Sequence, residues 1–84
     1  MTLEELATHY GLDIVIEFVD TRWKCYFKNV RIHNYDTNII WKDFFADGRT
    51  PMSSMIEYIA SIRGKALLRA DGTFIVRVPL ELTI

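Results

Sequence analysis

A short helix is the first element that the hydrophobic pattern predicts. Residues 2–10 place apolar side chains at spacings of three and four, the periodicity of one helix face. Thr2 and Glu5 have the spacing of a capping box, and Gly11 can supply the left-handed conformation that ends many helices. We therefore expect a helix of about two turns near the start of the chain.

Alternating apolar and polar residues dominate the chain from residue 13 to residue 46 and predict β-strands. Both faces of the first strand are mostly apolar, so we expect it in the middle of a sheet, or with its second face against the N-terminal helix or a partner subunit. The alternation changes parity at Asn29, where we expect a bulge or a bend within one strand. The expected elements are strands at residues 13–19, 22–32 and 39–46, a turn at Asp20–Thr21 and a surface loop at residues 33–38.

A second, longer helix and a hairpin are predicted for the rest of the chain. Thr50 can cap this helix, Pro51 suits its first position, and Gly64 is placed to end it. The dipeptide Asp71–Gly72 is typical of a tight hairpin turn, here between strands at residues 65–70 and 73–83. The apolar face expected for the helix consists of Met52, Met55, Ile56, Ile59 and Ala60.

Together these elements predict one α+β domain over residues 1–84, in the order α-β-β-β-α-β-β. We expect a small antiparallel sheet of about five strands, covered by one main helix and the short N-terminal helix. A chain of 84 residues suits a single hydrophobic core. Because so small a core leaves stability marginal, self-association is an attractive source of additional buried surface.

Composition and charge narrow the partners and the compartment. The formal net charge is −1, so no overall field attracts nucleic acid or an anionic membrane. The apolar runs are far shorter than the roughly 20 residues that cross a bilayer, so no membrane association is expected. The single cysteine, Cys25, cannot form an intramolecular disulfide, and no signal-peptide pattern opens the sequence. The cytoplasm is therefore the expected location.

No pattern of residues supports catalysis or metal binding. His9, His33 and Cys25 lack the spacing of metal ligands, and Cys25 stands among apolar residues where thiols are usually inert. Ser53 and Ser54 have no neighbouring histidine with an orienting carboxylate. We expect a protein that is not an enzyme and that uses no metal and no cofactor.

One candidate site is the start of the main helix. Unpaired N–H groups and the helix dipole favour an anion there, and neighbouring side chains add further donors. The alternative is that these residues only cap the helix, as Thr50 and Pro51 can do without a ligand. The candidate anion site consists of Gly48, Arg49, Thr50, Ser53, Ser54, Arg63 and Lys65.

A basic strand face is the second candidate site. Basic residues interleaved with an aromatic residue can bind single-stranded nucleic acid. The alternative is an ordinary solvent-exposed strand face, with Glu17 as a cross-strand partner. The candidate basic face consists of Arg22, Lys24, Tyr26, Lys28 and Lys42.

The C-terminal run is the third candidate surface. It alternates over about ten residues, longer than the usual strand of five or six, and such a strand invites pairing with another chain. We expect a homo-oligomer, most simply a dimer, formed through this run; the alternative is that the run folds back over the N-terminal helix. The candidate interface residues are Phe74, Val76, Val78, Leu80 and Leu82.

Several turn and cap motifs together resemble a group of short, uncharacterised bacteriophage and prophage proteins. These are Trp23 on a hairpin, the run Gly48-Arg49-Thr50-Pro51 at a helix start, and Ile62-Arg63-Gly64-Lys65 at the helix end. Three strands followed by a Gly-x-Thr helix start are also remotely similar to the HicB-type antitoxin domain. The first turn of this helix lacks the acidic residues usual in both groups.

The phage resemblance implies a non-enzymatic binding protein that inhibits or sequesters a host component, such as part of an antiviral defence system. The partner would be a host protein, or alternatively a small anionic nucleotide held at residues 48–54. The HicB resemblance implies a third possibility, an antitoxin or an accessory domain that binds nucleic acid. We rank it last, because such an antitoxin needs a toxin partner and usually an appended DNA-binding element, and the predicted C-terminal hairpin leaves no helical pattern for one.

Overall fold

The computed structural model describes residues 1–84. It confirms the α+β class and antiparallel pairing, but seven strands form two sheets where one sheet of about five was expected. The strand order is β1-β2-β5 in one sheet and β4-β3-β6-β7 in the other. The elements are α1 (Leu3–Tyr10), β1 (Ile14–Val19), β2 (Arg22–Phe27), β3 (Val30–Asn34), β4 (Ile39–Trp41), β5 (Ala46–Gly48), α2 (Pro51–Ile62), β6 (Ala66–Arg69) and β7 (Phe74–Arg77).

The α1 helix has the two ends that its sequence predicts. Thr2 Oγ1 accepts from the Glu5 N–H at 3.1 Å, and Glu5 Oε1 accepts from the Thr2 N–H at 3.0 Å, which completes the capping box. Gly11 ends the helix with φ of 66°. The buried face of α1 packs into the core through Leu3, Leu6 and Ala7.

The parity change at Asn29 marks a turn, so the expected bulge within one long strand is wrong. Asn29 has φ of 58°, in the left-handed region that asparagine tolerates better than most residues. The chain leaves the three-stranded sheet at Phe27 and enters the four-stranded sheet at Val30. The expected strand at residues 39–46 is divided in the same way, because β4 and β5 belong to different sheets.

The first hairpin has its expected turn, but its first strand lies at an edge. Asp20 and Thr21 both have positive φ, as a two-residue turn between strands requires. β1 pairs with β2 alone, so the expectation of a central strand is wrong. The hairpin of β6 and β7 also forms, but its loop spans residues 70–73, so the tight two-residue turn expected at Asp71–Gly72 is wrong. Only Gly72 has positive φ, whereas the primed turns that join strands so tightly need positive φ at their first central residue.

The main helix packs on the three-stranded sheet through a face other than the predicted one. Ser54, Tyr58 and Ile62 follow one another at intervals of four and are buried, together with Ile59. The polar atoms on this face are satisfied, because Ser54 Oγ donates to the Pro51 carbonyl at 2.7 Å and Tyr58 Oη accepts from the Phe27 N–H at 3.1 Å. The predicted face is consequently displaced outward: Met52, Ile56 and Ala60 are exposed, Met55 is half-buried, and only Ile59 is buried.

The C-terminal run is short as a strand, and the alternative that it folds back is the one observed. β7 ends at Arg77, and Thr83 then pairs with Thr2 beside α1 through bonds from the Leu3 N–H to the Thr83 carbonyl and from the Thr83 N–H to the Met1 carbonyl. Val78 and Leu82 are buried in the core, so neither can serve an open interface. Phe74 and Leu80 are exposed, and Val76 is half-buried.

The folded chain closes its core without a second copy. Its accessible surface is 5267 Å², close to the roughly 5,200 Å² that the mass scaling gives for a monomeric protein of this size. One cluster of buried side chains joins α1, α2, both sheets and the C-terminal segment. Any reason for self-association must therefore come from what the surface exposes, rather than from a missing core.

Candidate functional site

An open hollow of about 580 Å³ lies beside the polar face of β2. Lys24 and Tyr26 project into it from β2, since they alternate with the buried Cys25. Lys28 enters from the turn after β2, and Arg31 from β3. The connection between β4 and β5 closes one side. We call this the basic hollow and define it by Lys24, Tyr26, Lys28, Arg31, Lys42 and Phe45.

Four of the five residues predicted for a basic face meet in the basic hollow. Arg22 does not, because its Nη2 lies 3.4 Å from Asp47 Oδ1 in the one salt bridge of the molecule. The sequence pattern does not predict Arg31 as part of this face, because Arg31 follows the parity change at Asn29, where a bulge within one strand is expected. Had Asn29 been recognised as a turn between strands, Arg31 would have been expected beside Lys28.

The charges in the hollow are unbalanced. Lys24, Lys28, Arg31 and Lys42 face two carboxylates, those of Glu17 and Asp43. The side chains of the four cationic residues form neither a salt bridge nor a hydrogen bond within the protein. Four positive charges against two negative ones give this surface a local excess of positive charge, although the whole chain has a net charge of −1.

Two contacts order the walls of the hollow. The Lys24 ammonium lies 4.4 Å from the centre of the Phe45 ring, a cation–π contact that leaves the charge free to attract an anion. The Tyr26 hydroxyl donates to Glu17 Oε1 at 3.2 Å. Partial burial and this bond to Glu17 raise the pKa of Tyr26, so the phenol stays neutral and keeps its proton.

The start of α2 is occupied by its own cap. Thr50 Oγ1 accepts from the Ser53 N–H and Ser53 Oγ accepts from the Thr50 N–H, both at 3.0 Å, while the Ser54 N–H donates to the Thr50 carbonyl at 3.1 Å. Pro51 has no N–H, which leaves Met52 as the one first-turn donor without an acceptor. Capping, the alternative interpretation of this segment, therefore accounts for every first-turn donor except the Met52 N–H.

The close packing of β5 against the start of α2 explains why residue 48 is a glycine. A Cβ atom on Gly48 would lie 2.6 Å from the Ser54 backbone nitrogen, so only glycine lets β5 approach the helix start this closely. Arg63 and Lys65 lie beyond the far end of α2, and their side chains bond the carbonyls of Leu82 and Ser61. The seven residues predicted for one anion site are therefore not brought together.

The open edge of β1 presents unpaired backbone groups. The Asp13 carbonyl accepts from the Lys28 N–H at 2.9 Å, which fixes the direction of the ladder between β1 and β2. In an antiparallel ladder successive residues alternate between the two sides of a strand. Ile14, Ile16 and Phe18 therefore direct their N–H and C=O groups away from β2, where no strand pairs with them.

Apolar side chains accompany this edge. Ile16 and Phe18 stand opposite Cys25 and Trp23 on the face that α2 covers, yet Phe18 remains 60% exposed. On α2, Met52 and Ile56 are 51% and 48% exposed. Glu17 is the single charged residue of β1. Natural sheets usually blunt an edge with lysine, proline or a bulge, and β1 has none of these.

The residues with metal-binding or nucleophilic chemistry are dispersed. No group of three or more His, Cys, Asp or Glu side chains is positioned to hold a metal ion. Cys25 is buried between β1 and β5, and burial raises the pKa of its thiol to about 11, which suppresses the reactive thiolate. His33 Nε2 lies 3.0 Å from Asn38 Oδ1 in the loop after β3.

Comparisons with known proteins found no match among family models, curated proteins or solved structures. Neither helix has the length and apolar composition that a membrane crossing requires. The function must therefore be inferred from the two surfaces described above, the open edge of β1 and the basic hollow.

Proposed function

We propose that this protein is a non-enzymatic binding protein that acts by occupying a protein partner at the open edge of β1. The observation that carries the proposal is the six-residue edge strand whose outward N–H and C=O groups have no partner and whose Phe18 side chain is 60% exposed.

An extended polypeptide segment is the occupant whose chemistry fits the edge. Unpaired donors and acceptors that alternate along a strand match the backbone of another strand, which gives affinity, while the side chains beside it give specificity. Ile16 and Phe18 would contact the incoming segment on the helix side of the sheet. On the opposite face of the sheet, the Glu17 carboxylate would repel an acidic residue placed directly opposite it on the incoming strand.

The resemblance to short phage proteins makes a host protein the expected partner, such as a component of an antiviral defence system. A binding protein of this kind needs no chemistry of its own. It inhibits its target by adding a strand to the edge and covering the surface around it.

Paired baits test the proposal. Wild-type protein, Ile16→Lys and Leu80→Lys are immobilised at micromolar concentration and exposed to lysate of the host cell, and the captured proteins are quantified by mass spectrometry. Leu80→Lys is the matched control, because Leu80 is 74% exposed and lies outside both sheets. We expect a partner that the wild type and Leu80→Lys retain and that Ile16→Lys loses.

A backbone substitution separates strand addition from side-chain contact. Ligation at Cys25 joins a synthetic segment of residues 1–24 to residues 25–84, so the Ile16 nitrogen can be methylated without changing a side chain. Strand addition requires this N–H, and we expect the methylated protein to lose the partner that unmethylated ligated protein retains. Equal capture by both would refute the proposed mode of binding.

Self-association is a second proposal at the same edge. The expectation of a homo-oligomer moves from the C-terminal run to β1, because Val78 and Leu82 are buried within the protomer. A twofold pairing of β1 with a second copy would satisfy the same backbone groups as a foreign strand. The two occupants compete, so an oligomer that withstands dilution to micromolar concentration would weaken the first proposal.

Two hypotheses remain. A nucleotide site at residues 48–54 is disfavoured by the cap of α2 and by the separation of Arg63 and Lys65. A HicB-like antitoxin stays a hypothesis that rests on the sequence motifs alone, whereas the meeting of Lys24, Lys28 and Lys42 in the basic hollow is compatible with an accessory domain for nucleic acid.

A further inference from the structure

We propose that the basic hollow binds a nucleoside phosphate, with the phosphate among the four cationic side chains and the base against the Phe45 ring. Glu17 is the one residue of β1 that lines this site, which otherwise lies on the far side of the sheet from the apolar residues of the β1 edge. The hollow lies beside the sheet face of Lys24 and Tyr26, whereas Ile16 and Phe18 project from the opposite face.

The distribution of cations is the first observation. Of the ten Lys and Arg residues, Arg22, Arg63, Lys65 and Arg77 have polar partners within the protein. Four of the remaining six, Lys24, Lys28, Arg31 and Lys42, surround one hollow, and the other two are Arg49 and Arg69. Unpartnered like charges held near one another repel, and a bound anion would relieve that repulsion. Phosphate is the biological anion that lysine and arginine most often hold together.

The aromatic wall is the second observation. The Phe45 ring is 43% exposed beside the hollow, whereas the neighbouring Phe44, which also lines it, is half-buried and stacks on Tyr58. Lys24 lies over Phe45 at 4.4 Å, so a ring and a cation are presented together. Proteins hold nucleobases by stacking them on exposed aromatic rings next to basic residues.

Size and net charge restrict the ligand. Pockets for small ligands enclose about 300–1,000 Å³. A hollow of about 580 Å³ falls in this range and suits one nucleotide. The chain as a whole has a net charge of −1, so no overall field attracts a long polyanion. The same chemistry could come from a free nucleotide or from one nucleotide of a single strand.

Nuclear magnetic resonance titration of the uniformly ¹⁵N-labelled full chain tests the proposal. The probes are ADP, inorganic pyrophosphate and a short oligothymidylate, each added to about 5 mM nucleotide or phosphate, which detects even millimolar dissociation constants. We expect ADP to shift the amides of Lys24, Lys28, Arg31 and Phe45 and to leave those of Ile16 and Phe18 in place. Shifts at these amides with the oligothymidylate alone would support the site and place its nucleotide in a strand.

Two matched double variants give the decisive comparison. Lys28→Ala/Lys42→Ala removes two cations from the hollow, and Arg49→Ala/Arg69→Ala removes two unpartnered cations elsewhere. We expect the first to weaken ADP binding at least about tenfold and the second less than about twofold. Phe45→Leu should weaken ADP and leave pyrophosphate unchanged.

Three outcomes would overturn the proposal: no shift at the hollow with any probe, equal losses in the two double variants, or pyrophosphate binding as tightly as ADP. Because the variants alter no residue that projects onto the β1 edge, failure here leaves the proposed protein-binding function standing. Conversely, failure of the bait experiment would not affect the proposal that the basic hollow binds a nucleoside phosphate.

Discussion

The Phe27 backbone N–H donates to Tyr58 Oη at 3.1 Å in the buried interior. Phe27 ends β2 beyond the last residue that pairs with β5, so no strand is available to accept from this donor. Tyr58 supplies the acceptor from α2, and its ring meets the Phe27 ring edge-on at 5.6 Å. A helix side chain therefore completes the hydrogen bonding of the sheet.

Tyr58→Phe should destabilise the protein while preserving its shape. The variant keeps the ring and leaves the Phe27 N–H buried without a partner, which costs about 1–3 kcal/mol. Tyr35→Phe is the control, since Tyr35 is exposed and its hydroxyl makes no hydrogen bond within the protein, and it should change stability by less than about 0.5 kcal/mol. Urea unfolding measures both; equal effects would show that the bond contributes nothing.

Leu80 and Leu82 provide a matched pair in the C-terminal segment. Leu82 is fully buried, and its carbonyl accepts from Arg63 Nε and Nη2, whereas Leu80 is 74% exposed. Leu82→Ala should cost about 2–5 kcal/mol of unfolding free energy. Leu80→Ala should cost less than about 0.5 kcal/mol. Similar costs in denaturant unfolding would mean that the segment does not pack on α1 as described.

Gly48→Ala should destabilise the junction between β5 and α2. The added Cβ would lie 2.6 Å from the Ser54 nitrogen and 2.9 Å from the Ser53 carbonyl carbon, so backbone must move, at a cost of about 1–3 kcal/mol. Gly11→Ala is the comparison, because its φ is 66° but its Cβ meets nothing within 4 Å. Gly11→Ala should lower the free energy of unfolding only by the cost of placing alanine in the left-handed conformation, about 1 kcal/mol. Thermal unfolding that ranks Gly11→Ala as the more damaging would contradict the packing explanation.

Cys25 should make stability fall at alkaline pH. Burial raises the pKa of its thiol from 9.0 to about 11. The unfolded chain therefore loses this proton first, and the stabilisation, complete below pH 9, is lost as the pH rises toward 11. Unfolding free energies between these pH values should fall more steeply for the wild type than for Cys25→Ala. Parallel profiles would show that the thiol does not contribute.

The local signals in the sequence were sufficient for the helix ends and the hairpins, and insufficient for the assignment of strands to sheets. Thr2 with Glu5, and Thr50 with Pro51, define their caps through contacts within a few residues. The parity change at Asn29 is compatible with a bulge or with a turn, and only the pairing of Val30 with Arg69 distinguishes them. That pairing joins residues far apart in the chain, so no local pattern contains it.

The buried face of α2 was missed for a related reason. Ser54 and Tyr58 rank below Met52 and Ile56 in hydrophobicity, so periodicity alone selects the wrong face. Burial of the two polar residues becomes favourable because each finds a hydrogen-bond partner, the Pro51 carbonyl and the Phe27 N–H. Four of the six residues that define the basic hollow belong to the predicted basic face, because strand alternation places side chains such as Lys24 and Tyr26 together. Arg31 was not predicted, because it reaches the hollow from a strand of the other sheet.

The register of the proposed dimer follows from the direction of the backbone groups on β1. The residues whose N–H and C=O groups face outward are the even-numbered ones, Ile14, Ile16 and Phe18, and in a symmetric antiparallel dimer they must pair with one another. The numbers of any two residues that lie opposite each other therefore have the same sum across the whole interface, and this sum is even. A total of 34 would place Glu17 opposite its own copy, and a total of 30 would place Glu17 opposite Asp13 of the second copy; both are repulsive. A total of 32 opposes no two carboxylates and sets Ile16 opposite Ile16.

Cross-linking tests this register directly. In the pairing centred on Ile16 the two Cα atoms at that position would be about 5.5 Å apart, within the range of a disulfide. Because Cys25 lies opposite Ile16 within the protomer, the test is made in a Cys25→Ala background. There Ile16→Cys should form a covalent dimer on oxidation at tens of micromolar, while Phe18→Cys, which faces Ile14 of the second copy, should not. Leu80→Cys controls for random collision. Sedimentation equilibrium of the wild type should give about twice the chain mass of 9.8 kDa. A mass near 9.8 kDa, with no preference for the Ile16→Cys cross-link, would refute the dimer and leave the edge of β1 free for a different partner.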